Sequence, residues 1–186
     1  MSEPQKFVCW NYISEFDLVR NLDIGSGEES FELTQRISFE IENVTEDEVD
    51  YRSRYQFVED DGAPKRGSYT LRADGYDLAD TIDVEPSEKR KKVIDLKTPL
   101  IKLKPGARAY VTWEYSAAAE SETRTYISFG MVTDRVVIRA KTPDDIEFVV
   151  DPIEGPDETK PSEWIFNRRF QIEQHIPLGW VKREQN

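Results

Sequence analysis

The sequence has one cysteine and one histidine in 186 residues, and these two shortages exclude several kinds of site. Cys9 alone cannot form an internal disulfide, which a secreted domain of this size often carries, so we predict a reduced cytoplasmic protein. A structural zinc site needs four Cys or His ligands, and a catalytic triad usually needs a histidine placed near its nucleophile. We therefore predict no metal, no cofactor and no catalytic residue, and we expect His175 to be a structural or surface residue.

Long apolar runs are also missing, and basic residues are outnumbered by acidic ones. No run approaches the roughly 20 apolar residues that cross a bilayer, which argues against membrane insertion. Lys and Arg total 25 against 37 Asp and Glu, so the net charge of −12 repels phosphate backbones and argues against nucleic-acid binding. One basic run stands out, more typical of a solvated edge strand but kept as a candidate contact for an anionic partner: Lys89, Arg90, Lys91 and Lys92.

The chain is rich in alternating apolar and polar residues, the pattern of a strand with one buried face. The clearest case runs from Phe31 to Ile41, and a second, from Phe16 to Ile24, precedes it. Gly25–Gly27 lies between them, so we predict one long hairpin. A helix from Ser14 to Leu22, with Ser14 as its cap, is the competing interpretation.

Further strands follow at intervals of about a dozen residues, which is typical of sandwiches and barrels. We predict one strand through Tyr51 and Phe57, ending at the turn Asp60–Gly62, and another over Ser68–Ala73. The turn Leu103–Gly106 then opens a strand in which four residues face one way, namely Ala109, Val111, Trp113 and Tyr115, while four face the other, namely Arg108, Tyr110, Thr112 and Glu114. This stretch resembles a segment of many immunoglobulin-like sandwiches, which implies an architecture and no family.

The last third of the sequence predicts the closing strands. Thr123–Val132 is one strand, and Arg135–Ala140 is predicted to form a hairpin with Ile146–Val150. An acidic, proline-rich loop at 152–162 precedes a closing segment at 163–186, where a helix from Glu163 to Gln174 is the alternative. The prediction is a single all-β domain over 1–186: a two-sheet antiparallel sandwich, immunoglobulin-like in broad architecture, with room for one short helix.

The leading functional hypothesis is a non-enzymatic module that binds another macromolecule, most simply a protein, because the pattern predicts a sandwich and no catalytic constellation is visible. Its candidate protein contacts are Trp164, Arg168 and Trp180. One alternative is a small-ligand-binding barrel or pocket, with a lining of Tyr51, Tyr55, Trp113 and Tyr115. The other is a carboxylate-dependent hydrolase.

Two acidic loops offer a minor alternative, a calcium site. Glu59–Asp61 and Asp144–Asp145 could hold calcium if both loops emerge at one end of the sandwich. The alternating Asp-x-Asp spacing typical of such loops is absent, so turn-forming acids are the preferred interpretation. The sequence makes no prediction of the oligomeric state.

Overall fold

The computed structural model describes residues 5–22, 29–58, 66–83, 93–151 and 154–183. Every regular element in these ranges is a β-strand, so the all-β prediction is confirmed and the helices considered at Ser14–Leu22 and Glu163–Gln174 are wrong. The strands are β1 (Phe7–Leu22), β2 (Glu29–Asn43), β3 (Val49–Tyr51), β4 (Arg54–Val58), β5 (Arg66–Ala73), β6 (Tyr76–Asp83), β7 (Val93–Lys97), β8 (Ile101–Leu103), β9 (Arg108–Ala119), β10 (Thr123–Ser128), β11 (Val132–Lys141), β12 (Ile146–Val150), β13 (Glu158–Lys160), β14 (Glu163–Phe170) and β15 (His175–Lys182).

The strands pack as a sandwich around one large sheet. Its eight strands lie in the order β13-β14-β11-β1-β2-β9-β5-β6. A three-stranded sheet, β10-β15-β12, and the strand pair β3-β8 pack against it, and β4 and β7 form a further pair. The predicted sandwich class is confirmed: every pair of described strands is antiparallel except β1–β11, which is parallel. The immunoglobulin-like detail stays a prediction.

Two hydrophobic clusters fill the space between the layers. In the first, Phe16 and Ile138 of the large sheet pack with Ile176 and Trp180 of the three-stranded sheet. The second joins Trp113 of the large sheet to residues of β3 and β8. Because β2 is 15 residues long, it supplies side chains to both clusters. One long sheet therefore carries two smaller layers along its inner face.

Alternation predicted the inward residues of the long strands correctly. Phe31, Ile37 and Ile41 of β2 are buried, as is Trp113 of β9. The predicted hairpin at the start of the chain is confirmed by the antiparallel register from Leu22 opposite Glu29 onwards. Its connecting glycines, Gly25–Gly27, lie outside the described residues, as does the predicted turn Asp60–Gly62.

The predicted hairpin between Arg135–Ala140 and Ile146–Val150 is wrong. Strand β11 pairs with β1 and β14, whereas β12 pairs with β15 in the other layer. Side chains of both strands nevertheless meet in the first cluster. The turn between them therefore arches from one sheet to the other, so the two strands face each other across the core instead of sharing hydrogen bonds.

Three predicted boundaries also differ. The strand expected through Tyr51 and Phe57 is divided at Ser53 into β3 and β4, which pair with different strands. The strand expected over Thr123–Val132 stops at Ser128 and restarts as β11. The loop expected at 152–162 contains the short edge strand β13.

Candidate functional site

The predicted contact residues lie in three different settings. Lys89, Arg90, Lys91 and Lys92 lie outside the described residues, so that prediction stays a prediction. Trp180 is 3% exposed, and its indole nitrogen donates a 2.9 Å hydrogen bond to the Glu120 carbonyl. A partner contact requires an exposed ring, and that expectation is wrong for Trp180, because its ring belongs to the core.

Trp164 and Arg168 lie together on the inner face of β14. The Trp164 ring centroid lies 5.4 Å from that of Phe148. The Arg168 guanidinium carbon lies 5.2 Å and 5.5 Å from the ring centroids of Phe166 and Phe170. Both side chains thus cover the margin of the first cluster, and contact with a partner stays a prediction for them.

The residues predicted to line a small-ligand pocket do not surround either depression on the outer face of the large sheet, as far as their side chains are described. Tyr51 and Trp113 are buried in the second cluster. The Tyr115 hydroxyl donates a hydrogen bond to Gln35. The side chain of Tyr55 lies outside the described part of the structure.

The residues considered for metal binding are similarly dispersed. His175 is exposed and lies against Tyr126, with 5.6 Å between ring centroids. The Asp145 carboxylate pairs with Arg20, while Glu59–Asp61 lies outside the described residues. Across the described part of the chain, no group of three acidic, histidine or cysteine side chains is placed to hold a metal ion.

The outer face of the large sheet carries the most ordered array of polar side chains. Register places seven residues side by side across seven strands, in a row that we call the central charged row: Glu163, Arg139, Glu15, Arg36, Glu114, Ser68 and Thr81. Each of these positions alternates with inward residues of its strand, as the pleat requires. The row therefore crosses the sheet at right angles to the strands.

Ion pairs fix one half of the central charged row. Arg139 Nε lies 2.7 Å from Glu163 Oε2, and Arg139 Nη1 lies 3.1 Å from Glu15 Oε1. The Arg139 hydrogen bond lowers the pKa of the Glu163 carboxyl, and bonds to Glu163 and Glu15 raise the pKa of Arg139. The exposed side chains of Arg36 and Glu114 continue the row, but neither forms an ion pair or hydrogen bond with any described residue.

A second row, without charge, runs beside the central charged row. Register again defines it: Ile165, Val137, Ile13, Ser38, Thr112, Thr70 and Ala79. Ser38 and Thr112 are buried although they face outward. The side chains of this uncharged row are shorter than the arginine and glutamate side chains of the central charged row beside it.

Two depressions flank the central charged row. One, of about 580 Å³, extends towards Lys141 and Lys160. The other, of about 520 Å³, lies over β9, β5 and β6 and includes the hydroxyl-bearing residues Ser68, Thr70, Thr81 and Thr112; we call it the hydroxyl depression. Arg36 and Glu114 border both. The unpaired half of the row therefore lies where the surface is concave.

The second candidate surface is the edge of the large sheet at β6. Strand β6 has eight residues and pairs with β5 on one side, and no described strand pairs with its other side. Three of its residues are aspartates, Asp77, Asp80 and Asp83. Asp77 and Asp80 are exposed. The result is a long, open and acidic strand edge.

No helix within the described ranges is both long and apolar enough to span a membrane. No family model matches the chain, and no curated protein matches it. Among solved structures, the chain is similar to the crystal structure of a proposed nutrient-binding protein from Legionella pneumophila subsp. pneumophila str. Philadelphia 1. The two are 12% identical, the match covers 95% of this chain and 67% of that chain, and the TM-score is 0.47. A likeness at this level carries no argument about function.

Proposed function

We propose that this protein is a non-enzymatic binding module for another protein and that the partner adds an extended strand to β6. The observation that carries this proposal is the eight-residue edge of β6, which is unpaired on one side within the described residues. The backbone groups of such an edge offer a row of hydrogen-bond donors and acceptors to an incoming strand.

The charge of the edge defines the partner's chemistry. Asp77 and Asp80 of β6 are exposed, Asp77 Oδ1 lies 3.3 Å from Arg72 Nε, and the whole chain carries a net charge of −12. An incoming strand with lysine or arginine is attracted by this field, whereas an acidic strand is repelled. The acidic edge also disfavours pairing between two copies of β6, since their aspartates would lie close together.

A binding role is also supported by how the carboxylates of the outer face are used. Glu163 and Glu15 both form ion pairs with Arg139, and Asp17 Oδ2 lies 3.6 Å from Lys141 Nζ. The Arg139 hydrogen bond lowers the pKa of the Glu163 carboxyl, whereas a general acid needs a raised pKa. These pairs suit a fixed recognition surface better than acid–base chemistry.

Site-specific photo-cross-linking in the protein's own cells tests the proposal. A photoreactive amino acid replaces Asp77 on β6, and a matched variant carries it at Tyr126, an exposed residue of the three-stranded sheet. The proposal predicts a discrete protein adduct from the β6 position and none from Tyr126. The same adducts from both positions, or none from either, would contradict it.

A charge substitution tests the partner's chemistry. Asp77→Lys should reduce the yield of that adduct when the photoreactive residue is at Tyr76 instead, because a lysine repels a basic strand. Glu147→Lys, a substitution of an exposed residue on edge strand β12, is the matched control and should leave the yield unchanged. Equal adduct yields from the protein labelled at Tyr76, from its Asp77→Lys variant and from its Glu147→Lys variant would show that the acidic edge does not select the partner.

A further inference from the structure

The hydroxyl depression is lined by one guanidinium and two carboxylates: Arg36, Glu114 and Asp80, whose Oδ1 accepts a hydrogen bond from the Thr81 amide. Arg36 and Glu114 lie directly opposite each other on β2 and β9. Their charged groups are not within ion-pair distance of each other, and neither has another partner among the described residues. On the same row, Arg139 binds two carboxylates at 2.7 Å and 3.1 Å. Arg36 and Glu114 are therefore available to a ligand, whereas the other charged residues of the row, Glu15, Arg139 and Glu163, are already paired.

Four serine and threonine hydroxyl groups line the depression beside these charges. They belong to Ser68, Thr70, Thr81 and Thr112, and none of them forms a side-chain hydrogen bond with a described residue. Thr112 is a buried member of the uncharged row, two residues before Glu114 on β9. A hydroxyl both donates and accepts, so this wall can bind polar groups of either kind.

These groups together fit one class of ligand. A guanidinium pairs with a carboxylate through two parallel hydrogen bonds, and a carboxylate pairs with an ammonium group. A small molecule with both groups on neighbouring atoms is a zwitterionic amino acid. We propose that the hydroxyl depression binds a free amino acid with a polar side chain, its carboxylate on Arg36, its ammonium on Glu114 and its side chain among the hydroxyls.

Charge and size favour this class over others. The volume of about 520 Å³ lies within the range of roughly 300–1,000 Å³ typical of small-molecule sites. A zwitterion has no net charge, so the −12 charge of the protein does not repel it as it would an anion. The one aromatic lining residue, Tyr69, is buried against Trp113, so it offers no exposed ring for stacking a neutral sugar.

Nuclear magnetic resonance titration of the full chain tests the site. The probes are L-serine, L-threonine and L-glutamine at millimolar concentration, each beside its N-acetyl form, which lacks the ammonium, and its amide form, which lacks the carboxylate. The free amino acids should shift the backbone resonances of Thr70 and Thr112, and both modified forms should bind about 10-fold to 100-fold more weakly.

Three substitutions assign the contacts. Arg36→Gln should weaken binding of the free amino acid by a similar factor. It should leave binding of the amide form unchanged, because that form makes no carboxylate contact. Glu114→Gln should weaken binding of the free amino acid and leave binding of the N-acetyl form unchanged. Arg72→Gln, on β5 beside Asp77 and outside the lining, is the control and should change nothing.

Equal binding of the free and N-acetyl forms would overturn the proposal, as would the absence of shifts at Thr70 and Thr112 with all three amino acids. Neither result bears on strand addition at β6, which the cross-linking experiment tests separately. A shift pattern centred on Lys141 and Lys160 instead would also overturn it, because it would place the ligand in the other depression.

Discussion

The indole nitrogen of Trp113 donates a 2.8 Å hydrogen bond to Ser53 Oγ, which joins β9 of the large sheet to the segment between β3 and β4. Both residues are buried. Ser53 also bonds to Thr98 through its amide and its carbonyl, each at 3.0 Å. This contact satisfies the polar atom of a core tryptophan and anchors the small strand pairs to the large sheet.

Ser53→Ala should therefore lower the free energy of unfolding by about 1–3 kcal/mol, because it leaves the Trp113 N–H buried without an acceptor. Urea unfolding measures the loss. The control is Ser116→Ala, which removes an exposed hydroxyl bonded to Thr34 at 2.8 Å and should cost within about 0.5 kcal/mol. Equal losses in the two variants would show that the Trp113 bond contributes no more than a surface bond.

Gly179 lies at a close approach of backbones in the three-stranded sheet. A Cβ at this position would lie 2.1 Å from the Thr123 carbonyl oxygen and 3.2 Å from the Arg124 Cα. Gly179→Ala should cost about 1–3 kcal/mol or more, since β10 must move away from β15. Gly130→Ala is the control, because its Cβ would have no neighbour within 4 Å. Thermal unfolding that gave both variants the same midpoint would contradict so close an approach of the two strands.

The Cys9 thiol gives a prediction for alkaline solution. Burial raises its pKa from an ordinary value of 9.0 to about 12, and a hydrogen bond with Thr133 acts in the opposite direction. Above about pH 9 the unfolded chain releases a proton that the folded chain retains, so stability should fall as the pH rises. Cys9→Ala removes this contribution. Its unfolding free energy should fall less than that of the wild type between about pH 8 and about pH 10, and a steeper fall in the variant would contradict the account.

The ion pair between Arg20 and Asp145 gives a prediction for acid. The Arg20 hydrogen bond lowers the pKa of the Asp145 carboxyl below its ordinary value of 3.8. A lowered pKa contributes stability above the unfolded value, and this contribution is lost as the pH falls through the acidic range. Asp145→Asn should therefore show a shallower loss of stability in acid than the wild type. Asp144→Asn, at an exposed neighbour without an ion pair to the described residues, should retain the wild-type slope.

The alternation of apolar and polar residues predicted which face of each long strand is buried. It did not predict which strands pair with each other. Val136 and Ile138 are buried as expected, and so is Phe148. Their strands belong to different sheets, because β11 pairs with β1, more than a hundred residues earlier in the chain. A period of two identifies the inward side chains, but a partner strand is selected by contacts across the whole molecule.

The candidate site was predictable only residue by residue. The pattern around Trp113 correctly placed Thr112 and Glu114 on the outward side of their strand. Nothing in the sequence singled out Arg36, because its position beside Glu114 depends on the register of β2 against β9. The central charged row depends on six such registers at once, and local sequence specifies none of them alone.

Hydrogen exchange of the β6 backbone amides tests whether a partner strand binds at this edge. The comparison is between the free protein and its complex with the cross-linked partner. Strand addition predicts slower exchange in the complex at alternate residues from Tyr76 to Thr81, because the amides of every second residue point away from β5 and are the ones that a new strand binds. Unchanged exchange in β6, with slowing confined to β10 or β12, would contradict it.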